Sequence, residues 1–536
     1  MSRVAGADAT SAGVRGDIFV LLLVLAVFLV GAALQMLYIL PNHDSVWMLV
    51  AAERVFEGGT YERDFFEVNP PLAILLHAPA IGIQKITGQT AYWSFIVLTL
   101  TYAAVSIALL RKIVADGFSP TSDFRLWLPP VAALMILILP GYDFGQREHL
   151  FCVFVLPYIA LHATEASRGK LPRRFMILVS VWASLGFFLK PAFLLLPVLI
   201  ALDRAVRQRS PRTFISSDMI TVGVMGLLYL AVIFIRFPDY FIIVQYAMEF
   251  YDSYNNDFAI AALLPVLYMA FGLLLVFFAV RLTELPEDRR MFVLLTLAAG
   301  VASASAISQQ KGWSYHILPI EIFVTLPVLM VIVIVSRKVR KSATSRAFIF
   351  LSRAAPLLVV GIPLQSLSLD SETVHRPDLV QKELYSTLAP VAANKRIYFF
   401  STSVIVGMRW VETIQAKWAS RFPCLWLLPG YVTAVNDGAI SESRRVERDG
   451  NIRRYVNEDF ERYRPEVVLV DRRMYKHGLL RPFEFLNFFL EEDRFAEIWE
   501  SYTFYKTVDG LEIYLLSGSA GLGGSAIEAS AGAPSK

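Results

Sequence analysis

Apolar runs of spanning or near-spanning length recur along the chain, and short polar stretches separate them. They predict membrane helices over residues 18–40, 92–110, 126–139, 150–163, 175–189, 191–202, 219–235, 258–280, 291–307, 317–335 and 348–369. The run 175–202 is too long for one span and short for two, since a span needs about 20 residues. It is read as a tight hairpin with Lys190-Pro191 at its tip. Residues 71–85 predict a helix lying at the membrane interface, opened by Pro70-Pro71. Beyond residue 369 the apolar pattern thins. Residues 396–401 and 466–471 predict strands, 483–499 one amphipathic helix, and 511–516 a last strand. The Gly/Ala/Ser-rich residues 517–536 predict a disordered tail, and no internal repeat is visible.

The positive charges orient these elements. Loops containing Arg111, Lys112 and Arg125, then Arg168 to Arg174, Arg204 to Arg212, Arg281 to Arg290, and Arg337 to Arg346, alternate with loops poor in Lys and Arg. With Arg3 and Arg15 the ratio is about three to one, and the richer side is cytoplasmic. That places residues 1–17 as a cytoplasmic tail and 18–369 as a membrane domain. Its outer loops are 41–91, 141–149, 236–257 and 308–316, followed by a periplasmic α/β domain at 370–516 and the tail at 517–536. A mean hydropathy of +0.52, with 56% hydrophobic and 18% charged residues, excludes a soluble globular protein. The fold class is therefore a polytopic α-helical membrane protein of about 11 spans with an extracytoplasmic α/β domain. The first run is too long for a secretory signal and lacks a small-residue cleavage site, so it reads as a retained span. The net charge of +4 over the 536 residues does not point to nucleic acid, because the cations sit between spans as topology signals. Cys152 and Cys424 offer neither a bridge nor a metal spacing. The absence of any Asn-x-Ser/Thr sequon leans toward a bacterial inner membrane.

All the outer polar stretches carry groups suited to chemistry. Asp44 follows the first span; it is either a general base for a hydroxyl acceptor or the cap of a helix starting near Ser45. Asp64 is a sugar or acceptor contact, or a solvated loop acid. The loop Gly141-Tyr142-Asp143-Phe144-Gly145-Gln146-Arg147-Glu148-His149 sets two acids, an Arg and a His at the opening of the next helix. Those groups suit a phosphate, and an Arg–Glu pair stabilising the loop is the plainer reading. Lys190 is the only charge in its 28-residue apolar stretch. An ammonium at that depth costs about 2.5–3.5 kcal/mol, so it needs an anion, a wet cavity or a route to the interface. Lys311, Tyr315 and His316 join two spans on the same side. Lys and His can neutralise a phosphate, while Trp313 and Tyr315 suit a sugar or the aromatic belt.

Taken in order, these features resemble the GT-C class of polyprenyl-phosphate-sugar-dependent glycosyltransferases. The resemblance is to the branch of protein O-mannosyltransferases, lipid A aminoarabinose transferase and rhizobial lipopolysaccharide galacturonosyltransferases. It rests on Asp44, Ala51-Ala52-Glu53, Gly58-Gly59-Thr60-Tyr61, Asn69-Pro70-Pro71-Leu72, Lys190, and Lys311 with Tyr315 and Pro319. It implies a sugar moved from a polyprenyl-phosphate donor to a glycan, lipid or protein acceptor. Asp44 would be the base, and Lys190, Lys311, Arg147, His149, His316 and Tyr315 would hold the donor phosphate. Asp64, Asp143, Glu148 and Asn69 would contact sugar or acceptor. The sequence departs from the pattern in Asp44-Ser45, where an Asp-Glu pair is usual. It departs again at Asn69, where a basic residue is usual, and Lys85, Arg147 or His149 would then supply that contact. No cofactor is firmly expected; Asp143 and Glu148 could bind a divalent cation, but nothing fixes a coordination set. The rival readings are a transporter or lipid flippase, which usually shows repeats and a midplane site, and a non-catalytic assembly protein, which gives Lys190 no purpose.

Overall fold

The computed structural model describes residues 2–37, 39–166, 171–342 and 382–518. The expected span at 348–369 and nearly all of the tail at 517–536 lie outside them. Two compact units emerge: one of Met1–Ser45, Asn69–Pro238 and Asn255–His375, the other of Val46–Val68, Asp239–Tyr254 and Arg376–Lys536.

Among the described residues thirteen α-helices precede residue 343: α1 Ser2–Leu37, α2 His43–Phe56, α3 Pro71–Thr87, α4 Ala91–Gly117, α5 Asp123–Leu137, α6 Arg147–Ala163 and α7 Arg173–Phe187. They continue with α8 Leu195–Gln208, α9 Ser217–Arg236, α10 Tyr240–Phe250, α11 Phe258–Leu282, α12 Pro286–Gln309 and α13 Ser314–Ser342. Six among the described residues are long and apolar enough to cross a membrane: Ile18–Leu37, Ala91–Gly117, Ser217–Arg236, Phe258–Leu282, Pro286–Gln309 and Ser314–Arg340. In the first unit α6 is the axis. Every one of its residues is buried, and it packs against α4, α7, α12 and α13. At the other extreme α9 and α11 turn Leu227, Phe234, Leu263, Leu264 and Phe271 outward. So large an apolar surface suits lipid, the solvent in which such side chains incur no penalty.

Local chemistry explains the boundaries. Pro71 opens α3, where its missing N–H costs nothing, and Gly88 closes it in the left-handed conformation. The chain breaks between Phe187 and Leu195, as expected at Lys190-Pro191, with a short 3-10 turn over Pro191–Leu194. The candidate span in α1 is Ile18–Leu37, near the expected 18–40, while the helix itself reaches back to Ser2.

The second unit holds a five-stranded sheet: β1 Arg396–Phe400, β2 Lys417–Trp418, β3 Val467–Asp471, β4 Tyr502–Val508 and β5 Leu511–Leu516, ordered β2-β1-β3-β5-β4. β1 runs parallel to β2 and β3, while β5 is antiparallel to β3 and β4. The single helix expected at 483–499 is two, Phe485–Leu490 and Asp493–Trp499. The break turns Phe485, Phe489, Phe495 and Trp499 onto Phe400 of β1. Segment 46–68, expected among the membrane-domain loops, is fastened into this unit. Arg54 donates to the carbonyls of Trp418 and Ser420, each at 2.7 Å, and Phe66 N–H donates to the Arg421 carbonyl at 2.7 Å.

Candidate active site

In the first unit, four chain segments bring eight of the expected residues together. Asn42 sets the position of the first. Its side-chain oxygen accepts the N–H of Asp44 at 2.9 Å and of Ser45 at 3.3 Å, the bonding of a helix N-cap. Asp44 is therefore not the cap of α2, because the preceding amide already fills that role. Its carboxylate is left for side chains: Gln146 Nε2 donates to it at 3.2 Å, His43 Nε2 lies 3.6 Å away and Arg147 Nη2 3.7 Å away.

The loop before α6 turns sharply at Gly145, which has a positive φ of 82°. A Cβ there would lie 2.5 Å from the Phe95 ring, so only glycine fits. The turn delivers Arg147 and Glu148 into the bundle. Glu148 is the anion that Lys190 requires. The Lys190 ammonium donates to Glu148 Oε1 and, at 2.7 Å, to Gln309 Oε1. His316 Nε2 lies 3.7 Å from the same Glu148 oxygen, and Arg147 Nε lies 3.9 Å from Oε2. The Tyr315 ring carries both cations, with the Arg147 guanidinium 5.7 Å and the Lys190 ammonium 5.9 Å from its centre. Lys190 therefore does not snorkel, and Tyr315 is not a belt residue: both are buried.

The link between α12 and α13 is shaped by Gln310 and Gly312, both at positive φ. Asn256 N–H donates to the Gln310 carbonyl at 2.7 Å, and the Lys311 ammonium donates to Asn255 Oδ1 at 2.6 Å. Ser314 donates to Asp143 Oδ2 at 2.9 Å. Crowding raises the Asp143 carboxyl to about 7, chiefly through lost hydration, with the Ser314 hydrogen bond opposing and the charges of Glu148, Asp44 and Glu321 adding to the rise.

Other expected residues stand elsewhere. His149 accepts Gly145 N–H on Nδ1 at 2.9 Å and donates from Nε2 to the Ile136 carbonyl at 2.7 Å. Both ring nitrogens are spent on main chain, so it shapes the loop and is corrected as a phosphate ligand. Lys85 is exposed in the last turn of α3, and Asn69 is half-buried just before Pro70. Asp64 belongs to the second unit, where it accepts Thr60 N–H at 2.8 Å and pairs with Arg63 and Arg462. Burial alone would raise its carboxyl, but the Thr60 N–H and those two guanidinium groups hold it below the usual range. Among the described residues no three His, Cys, Asp or Glu side chains gather to hold a metal ion. Two participants escaped sequence reading. Gln309 was hidden because an amide carries no charge signal. Glu321, which accepts the Tyr268 hydroxyl at 2.9 Å, is the only charged residue in the predicted span 317–335 and was there to be noticed.

No protein-family model matches this chain, and no curated protein matches it. The fold, however, is shared with solved structures. It is similar to the crystal structure of ArnT from Cupriavidus metallidurans bound to undecaprenyl phosphate, with a TM-score of 0.54 at 11% identity, covering 94% of this chain and 99% of that one. The same protein in its apo state matches with a TM-score of 0.51, again at 11% identity, covering 94% and 98%. At such identity the likeness shows a shared fold.

Proposed function

We propose that this chain is a membrane glycosyltransferase that moves a sugar from a polyprenyl-phosphate donor to an envelope glycan, lipid or protein acceptor, on the periplasmic face of a bacterial inner membrane. The observation that carries the reading is the joining of Asp44 to the Lys190–Glu148–His316 group through Arg147, a base beside a buried cationic pocket. The neighbour's undecaprenyl phosphate supports the donor class. Fastening of segment 46–68 to the C-terminal fold supports an outer location for that fold, since the charge rule puts this segment outside.

In this mechanism Asp44 takes the proton of the acceptor hydroxyl as its oxygen bonds to the anomeric carbon. The bond from that carbon to the phosphate oxygen breaks on the opposite face, the electron pair stays with the phosphate, and the centre inverts. Lys190, Lys311, Arg147 and His316 oppose the charge that grows on the leaving phosphate. Asp143 and Tyr315 stand close enough to the same groups to meet the sugar. Transfer assays on Asp44→Asn, Lys190→Ala and Lys311→Ala, each confirmed as folded in the membrane, test the assignment. Retained transfer in all three overturns it. Mass spectrometry of envelope glycans from a deletion strain identifies the sugar and acceptor.

A further inference from the structure

This inference rests on the reading of the Lys190 pocket as a phosphate site. Glu148 is only 2% exposed, and Lys190 and His316, at 8% and 4%, are buried beside it. A carboxylate so buried normally accepts hydrogen bonds on both oxygens. Here Oε1 has Lys190, but Oε2 accepts none, and Nδ1 of the adjoining His316 has no partner either. The pocket thus holds a carboxylate that engages the cations incompletely, beside an imidazole nitrogen with an unmet bond. Arg147 on the same helix, Asp143 before it, Asp44 at the start of α2 and Lys311 beyond α12 complete the charged surroundings.

We infer that Glu148 is a stand-in for the lipid-borne phosphate: it holds Lys190 while the pocket is empty, yields it to an entering phosphate, and competes for it again when the spent carrier must leave. The exchange balances in charge. A sugar phosphodiester carries one negative charge, as Glu148 does. Transfer leaves a phosphate monoester with a charge of about −1.5 to −2 near neutral pH. That product binds the cations more strongly than the donor, so a competing carboxylate shortens its stay. Glu148 is in this sense a positioning residue that acts through Lys190.

The test is equilibrium binding of radiolabelled undecaprenyl phosphate to the full chain in lipid nanodiscs. Glu148→Gln is expected to bind about tenfold more tightly than wild type, with slower dissociation, and the gain is expected to vanish in a Lys190→Ala background. A gain that persists without Lys190 means that Glu148 acts only through its field, and overturns the inference, as does unchanged or weaker binding. If Glu148→Gln does not fold, Glu148→Asp keeps the charge, draws it back by one methylene and should show a smaller gain of the same kind. A wild-type chain that binds no undecaprenyl phosphate sinks the proposed function and this inference together. Binding by wild type without a gain in the variants sinks the inference alone.

Discussion

At its last turn α6 enters a tight ionic network; at its first turn, about 25 Å away for 17 residues, it enters a loose one. At the last-turn end Asp218 accepts Arg204 at 2.9 Å and Tyr158 at 3.2 Å, and Glu165 meets Arg204 at 2.9 Å and His162 at 3.0 Å. Asp203 in turn binds Arg207 at 3.1 Å and Arg290. Every carboxylate there has two or more partners at hydrogen-bond range. At the first-turn end the cations near Asp44 stop at 3.6–3.7 Å, while Glu148, like Asp218 and Glu165, leaves one oxygen without a hydrogen bond. Composition is similar at the two ends, but the spacing differs. A closed network ties helices together, whereas an open one keeps charge in reserve for a molecule that arrives later.

Substitutions at each end break or sharpen that contrast. The largest effect belongs to Asp44→Asn. Sugar transfer should fall about 10²–10⁴-fold, the usual contribution of a general base, while the unfolding temperature stays near wild type. A drop in stability comparable to the drop in rate would make Asp44 structural. Asp218→Ala should do the reverse. Arg204 then keeps only Glu165, so the cost should stay below the about 3–5 kcal/mol of a fully broken buried pair, read as a lowered unfolding temperature, while the folded fraction binds undecaprenyl phosphate as before. Next comes Asn42→Ala, expected to cost about 1 kcal/mol through the lost cap. It should also lower transfer, because the turn that presents Asp44 loosens. Equal transfer with lowered stability would separate the cap from the chemistry.

A further effect concerns pH. The carboxyl of Asp143 rises from 3.8 to about 7 on folding. Between those values the folded chain therefore binds more protons than the unfolded one. The stabilising contribution is complete below about 4 and is lost as pH rises through about 7. Asp143→Asn should flatten this part of the curve of unfolding temperature against pH. If the slope survives, another group titrates there.

Much of the bundle was legible because a membrane span writes itself as an apolar run. The break at Lys190 and the start of α3 followed from one charge and two prolines. β1 and β3 could be read because each is largely buried, and β5 because it is apolar at every position but Glu512. β4 could not, since all five residues between its ends are exposed, and β2 is two residues long. The site was legible only where charge marked it. Asp44, Arg147, Glu148, Lys190 and His316 stood out against apolar surroundings, yet the pairing of Lys190 with Glu148, 42 positions apart, depends on packing between helices. His149 misled for the same reason: its place in a polar loop does not disclose that both nitrogens face main chain.

The side-chain oxygen of Asn42 also accepts Gln146 Nε2 at 2.9 Å, so two carboxamides clasp the turn that presents Asp44. Carboxamides neither gain nor lose a proton across the biological range. The frame that aims the Asp44 carboxylate is therefore indifferent to acidity.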